Sequence, residues 1–349
     1  MKNLFIFNSS ILPRVSRLLF YLVLLVIGEF VAAIIIPYDF DANTKYYRNP
    51  FLKRAWPEFI DNTAIQRIKT KKIVVISNSQ GYGRETSVEN LYTSQLEMLL
   101  EANGFNNYEV LNWSAVGARS MDFYILLAKA LQLNAEIVIL NTFSRNFDRR
   151  GDRNLNFSMH DIDLVLAQEG VKEGLSEKYL SKMTTNGDQF YSKLILNSDL
   201  LRLRYYIDDQ FNDKNESKEI IGFKEDFETN MLATGIPGEK CSTLTRHLSE
   251  KVEELVDICA NSGTNIFINH MPLNVDFVER RSLVNIRRFN QELRKYVSDY
   301  DHIRMNNYTN RINNEYYYSY THFDYRGHSE FAKLMYSDIV SILSNESCI

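Results

Sequence analysis

A chain of 349 residues, 45% of them hydrophobic, is long enough to bury one large core or two small ones. Its 40 Lys and Arg against 44 Asp and Glu leave a net charge of -4, which provides no basic footprint for nucleic acid and, with that hydrophobicity, argues against disorder. Cys241, Cys259 and Cys348 form no C-x-x-C and stand at no ligand spacing to a histidine, so no zinc site or disulfide framework is expected, while a single bridge stays open. No organic or metal cofactor is implied.

The first element is Ser16 to Ile36, "SRLLFYLVLLVIGEFVAAIII", a nearly unbroken apolar run of about the length that spans a bilayer. Lys2, Arg14 and Arg17 lie at its N-terminal side. They predict residues 1–15 as a cytoplasmic N-terminus, 16–36 as a transmembrane anchor and the main domain as extracytoplasmic. A cleaved signal peptide and a buried helix are the rivals; the run is longer than a usual h-region and no A-x-A site follows it. Glu29 interrupts the run, and a carboxylate there often faces a partner helix. Residues 37–70, with Pro50 and Pro57, read as a juxtamembrane connector.

From residue 71 to 349 strands alternate with helices. "IVVIS", Ile73 to Ser77, is a strand by its length and β-branched content. Val88 to Ala102 places Leu91, Leu96, Leu99 and Leu100 on one helical stripe, closed by Asn103-Gly104. "YEVLNW" is a second strand, Ser120 to Leu131 a helix that Ser120 can cap, and "AEIVILN" a third strand. Phe147 to about Thr243 breaks the rhythm with polar stretches such as "DRRGDRN" and reads as an inserted helical region. A helix at Ser249 to Ala260, the strand "NIFIN", a helix near Val284 to Tyr296 and a last helix at Ser329 to Leu343 resume it. Such alternation predicts an α/β fold, a mostly parallel sheet with helices on both faces in three layers.

In open α/β sheets ligands bind beyond the carboxyl ends of the strands. Asn78, Ser79, Gln80 and Gly81 follow the first strand, and Asn112, Ser114 and Gly117 attend the second. Asn141, Ser144, Arg145 and Asn146 attend the third, His270 and Pro272 follow "NIFIN", and "YSYTHFDYRGHSEFA" brings His322, Asp324, Gly327 and His328. A serine hydroxyl becomes a nucleophile when a base, usually histidine, lies within hydrogen-bond reach. A tetrahedral oxyanion needs preorganised donors such as backbone N–H groups and an asparagine amide. Ser79, Gly117, an asparagine and a late histidine supply those parts in order. His328 reads as the start of the last helix and His270 as structural. Arg145, Arg149, Arg150 and Arg153 read as a solvated loop, or as a seat for an anionic polysaccharide or lipid head group. Tyr316 to Tyr320 read as packing, or as a platform for sugar rings.

On these residues the chain resembles the SGNH, or GDSL-like, hydrolase superfamily. "ISNSQGYG" is similar to its first block, with Asn78 where Asp is usual; "NWSAVGARSMDF" is similar to the second, and "THFDYRGHSEFA" to the histidine block. The resemblance implies Ser79 as nucleophile and His322 as base, with Ser79 N–H, Gly117 N–H and either Asn141 or Asn146 as the oxyanion donors. The acid of the D-x-x-H block falls at Ser319, which is no carboxylate, leaving Asp324 or a backbone carbonyl to orient the ring. With the anchor, the chain looks like the membrane-anchored SGNH proteins that partner membrane-bound O-acyltransferases. It would then be a serine esterase or O-acyltransferase acting on a cell-envelope polysaccharide. The alternatives are a catalytically inactive scaffold or glycan-binding subunit of such a complex, and a plain lipase-like hydrolase.

Overall fold

A computed structural model describes residues 12–35, 71–83, 86–115, 118–147, 165–166, 170–175, 198, 241–260, 262–278 and 280–346. Gly117, Arg149, Arg150, Arg153 and most of the expected insertion lie outside them.

The N-terminal run forms α1 (Leu12–Ile35), 24 residues long. Its large side chains are open to the surroundings, with Phe20 60%, Val26 66%, Phe30 69% and Ile34 68% exposed. Side chains are described for 19–34 only, and among described residues no helix is long and apolar enough to cross a membrane. Glu29 Oε1 accepts a hydrogen bond from Ser198 Oγ, within the stretch expected as an insertion.

The domain is built from β1 (Lys71–Ser77), α2 (Ser79–Tyr82), α3 (Tyr92–Ala102), β2 (Tyr108–Ser114), α4 (Ser120–Gln132) and β3 (Ile137–Thr142). After the mostly undescribed stretch come α5 (Cys241–Ala260), β4 (Asn265–His270), α6 (Arg280–Val297), β5 (Ile303–Asn307) and α7 (Tyr325–Glu346). The five strands pair in the order β2-β1-β3-β4-β5, every pair parallel. Parallel neighbours need crossover connections, which the intervening helices supply.

Side chains alternate across a strand, so β1 feeds two cores. Val74 and Ile76 pack with Leu126 and Leu127 of α4, Leu255 of α5 and Phe289 of α6. Ile73 and Val75 pack on the other face with Leu96 of α3 and Phe331 and Met335 of α7. The result is a three-layer α/β/α arrangement, as expected. The chain runs from β1 outward to β2, then back across β1 to β3, so the order reverses beside β1. In open parallel sheets ligands bind beside such a reversal, outside the carboxyl ends of the strands.

Several boundaries differ from expectation. The helix expected from Val88 begins at Tyr92, and α4 has Arg119, not Ser120, at its N-cap, with Asp122 accepting the Arg119 N–H at 2.8 Å. Strand β5 was not legible, because Arg304 interrupts it and it lies at an edge where only Ile303 is buried. Cys259 is a buried free thiol whose pKa burial pushes up.

Candidate active site

Strand β1 ends at Ser77, and the chain turns at once into α2, with Asn78 as N-cap. Asn78 Oδ1 accepts the Gln80 N–H at 3.1 Å, a local bond that stabilises a helix start. Gly83 closes the turn at φ 60, a left-handed conformation suited to glycine, and donates its N–H to Ser79 O. Gly81 permits the close approach. A β-carbon there would lie 2.3 Å from Ser114 Oγ, 2.5 Å from Tyr92 Oη and 2.6 Å from Ser77 Cβ. Asn112 Nδ2 donates to Gly81 O at 2.9 Å, fastening α2 to the end of β2. Ser79 is the first residue of α2, where N–H groups have no intrahelical partner, and its side chain is half-buried.

His322 arrives on a short hairpin between β5 and α7. Tyr317 pairs with Phe323 in an antiparallel bridge, and the N–H groups of Tyr318 and Ser319 both donate to His322 O, at 3.1 and 3.3 Å. Tyr317 and Phe323 are buried and meet edge to face at 5.8 Å, which anchors the hairpin. Both catalytic-type elements are tied to the segment after β4. Gln80 Nε2 donates to Pro272 O at 3.4 Å, and Asn274 N–H donates to Tyr320 O at 2.9 Å.

These supports bring Ser79 Oγ to 3.0 Å from His322 Nε2, although the two are 243 positions apart in sequence. On the far side of the ring, His322 Nδ1 lies 3.1 Å from Ser319 Oγ and 3.1 Å from Thr321 Oγ1. The ring of Tyr318 stacks on the imidazole at 5.7 Å.

Asp324 is not the partner of His322. It sits at the N-cap of α7, where Oδ1 accepts the N–H groups of Arg326 and Gly327 at 2.9 and 3.3 Å. Its Oδ2 receives the Arg326 guanidinium, with Nη2 at 2.6 Å. Helix capping and an ion pair occupy the carboxylate fully.

The two asparagines are told apart by their surroundings. Asn141 is wholly buried within β3: its Nδ2 donates to Tyr92 Oη at 3.0 Å, and its Oδ1 accepts from Asn269 Nδ2 at 3.0 Å. Asn269 Oδ1 accepts in turn from Asn306 Nδ2 at 3.1 Å, so an amide ladder crosses β3, β4 and β5. Asn141 therefore belongs to the sheet. Asn146 lies beyond the strand, in a 3-10 turn at Ser144–Phe147. Its Oδ1 accepts the Phe143 N–H at 2.6 Å and its Nδ2 donates to Ala118 O at 2.7 Å. It links the third strand end to Ala118, just before α4.

The remaining candidates are structural. His270 is fully buried between Phe143 and Phe289, with Nδ1 3.1 Å from Met271 O and 3.0 Å from Thr309 Oγ1. Burial lowers its pKa to about 4. His328 lies in α7, accepts the Tyr92 N–H on Nδ1 at 3.3 Å and stacks on the Tyr92 ring. Tyr317 and Tyr318 are buried, and the Arg326 guanidinium lies 4.6 Å from the Tyr316 ring centroid, so most of the tyrosine tract is packing. Among the described residues no group of His, Cys, Asp and Glu is arranged to hold a metal ion. Sequence reasoning missed Thr321 and the hydroxyl role of Ser319; the three-residue offset from Ser319 to His322 was the available signal.

No protein-family model matches the chain, and no curated protein matches it. Among solved structures it is similar to a carbohydrate acetylesterase from Sinorhizobium meliloti, with 7% identity and a TM-score of 0.37, over 78% of this chain and 100% of that one.

Proposed function

We propose that this chain is a serine esterase or acyl-transfer enzyme of SGNH type. The observation that carries the reading is the 3.0 Å approach of Ser79 Oγ to His322 Nε2 at the carboxyl end of β1. With the ring proton on Nδ1, Nε2 accepts the Ser79 hydroxyl proton as Oγ attacks the acyl carbonyl carbon. The carbonyl π electrons move to oxygen, and the C–O bond to the leaving alcohol breaks as Nε2 returns the proton to it. The acyl-Ser79 ester is then attacked by water, giving hydrolysis, or by a sugar hydroxyl, giving transfer. In that half-reaction Nε2 takes the attacking hydroxyl's proton and returns it to Ser79 Oγ.

The oxyanion donors in this proposal are Ser79 N–H, Gly117 N–H and the second N–H of Asn146 Nδ2. The Asn146 Nδ2 bond to Ala118 O, one residue after Gly117 in the chain, supports this choice. Asn141 has no part in this reading, because its amide bonds Tyr92 and Asn269 inside the sheet.

The proposal extends to place. The exposed apolar side chains of α1 suit a lipid surrounding and support its role as a membrane anchor with the domain extracytoplasmic. The substrate proposed is an acyl group on a cell-envelope polysaccharide, with a membrane-bound O-acyltransferase as donor partner.

Labelling of the purified full chain with a fluorophosphonate tests the core of the proposal. Wild type labels; Ser79→Ala and His322→Ala do not. A folded wild type that fails to label sinks the enzymatic reading and favours a glycan-binding or scaffold role. Carbonate extraction of membranes tests the anchor, and release of the full chain into the wash refutes it.

A further inference from the structure

We propose that the hydroxyls of Ser319 and Thr321 together position His322, in the place where a serine hydrolase ordinarily puts a carboxylate. The inference rests on the Ser79–His322 reading of the site. Both oxygens lie 3.1 Å from Nδ1, and both residues are buried, Ser319 at 1% and Thr321 at 9% exposure. Burial limits the competition of water for the ring.

Ser319 Oγ is itself held. It accepts the His322 N–H at 3.0 Å and the Thr321 N–H at 3.4 Å. The hairpin closes on His322 O through Tyr318 N–H and Ser319 N–H, and Tyr318 stacks on the ring face. Imidazole position is thus set by the hairpin's backbone and by two hydroxyls. Asp324, two residues on, faces Arg326 instead.

The chemical difference from a carboxylate is specific. A carboxylate only accepts, so it holds the ring proton on Nδ1 and its charge stabilises the imidazolium that forms. A hydroxyl both accepts and donates, and it brings no charge. Ser319 and Thr321 therefore fix where the ring is more firmly than which nitrogen carries its proton. The base works, and a carboxylate at position 319 would make it work better.

The test uses the full chain in detergent, with fluorophosphonate inactivation rates measured across pH for wild type, Ser319→Ala, Ser319→Thr, Ser319→Asp and Thr321→Val. A second readout is the titration of the His322 ring in ¹⁵N-histidine NMR spectra. Ser319→Ala is expected to slow inactivation on the order of tenfold, below the full range for losing a general base, and Ser319→Thr to restore most of it. Ser319→Asp is expected to speed inactivation and to move both the acid limb of the pH profile and the His322 titration upward, as a nearby anion does. Labelling at Ser79 with wild-type rate and pH profile in both Ser319→Ala and Thr321→Val overturns the inference and leaves Ser79 as nucleophile. If no variant labels, the nucleophile reading falls. The NMR titration then decides the contact: an upward shift in Ser319→Asp supports it, and no shift overturns it.

Discussion

The substitution Gly81→Ala addresses the joint on which Ser79 is carried. A β-carbon there meets atoms of three different elements at 2.3, 2.5 and 2.6 Å. Relief to ordinary contact requires α2 to lift by roughly 1 Å, because Ser114 Oγ is bound to Asn112 Oδ1 at 2.5 Å and Tyr92 Oη receives Asn141 Nδ2 at 3.0 Å. Overpacking of this kind costs about 1–3 kcal/mol. Removing a helical glycine returns up to about 1 kcal/mol, so the net loss in stability is about 0–3 kcal/mol. The effect on the site is larger. A displacement of roughly 1 Å carries Ser79 Oγ out of hydrogen-bond reach of His322, and misplacement on that scale lowers rates on the order of 100-fold. Urea unfolding gives the first quantity and the fluorophosphonate inactivation rate the second. A Gly81→Ala protein that inactivates at the wild-type rate would show that α2 does not seat the nucleophile as described.

Three further outcomes follow from the same contacts. Asp324→Ala removes the cap of α7 and is expected to cost about 1–2 kcal/mol in urea unfolding while labelling at Ser79 persists; loss of labelling in a folded variant would reinstate Asp324 beside His322. Asn269→Ala leaves Asn141 Oδ1 and Asn306 Nδ2 without their ladder partner and is expected to cost about 2–4 kcal/mol; a loss well under 1 kcal/mol would mean that the ladder contributes little. His270 is neutral in the fold because burial lowers its pKa to about 4, whereas an unfolded chain takes up that proton near pH 6.5. The unfolded state therefore binds more protons between those values, and stability is lost as pH falls from about 6.5 to 4, by up to roughly 3 kcal/mol. His270→Phe is expected to flatten that dependence, and an unchanged difference in unfolding free energy between pH 7 and pH 5 would refute it.

Much of the candidate site was legible before any fold was in view, because strand length, helical stripe and strand-end chemistry belong to contiguous residues. "IVVIS" followed by small polar residues marked β1 and Ser79, and "THFDYRGHSEFA" marked His322 before the last helix. Tertiary structure alone decided the rest. Which strands adjoin settled that β1 lies at the reversal of strand order. Asn141 and Asn146 are alike in sequence, and only the lateral neighbours of β3 show that one is bound into a ladder while the other reaches the loop beyond β2. Asp324 looked like the nearest acid by position, but the start of α7 and Arg326 claim its two oxygens, and the hairpin turns Ser319 across to the imidazole instead. A sequence specifies which groups a segment carries; the direction each one faces is set by distant backbone packed against it, and hydrogen bonding depends on that direction.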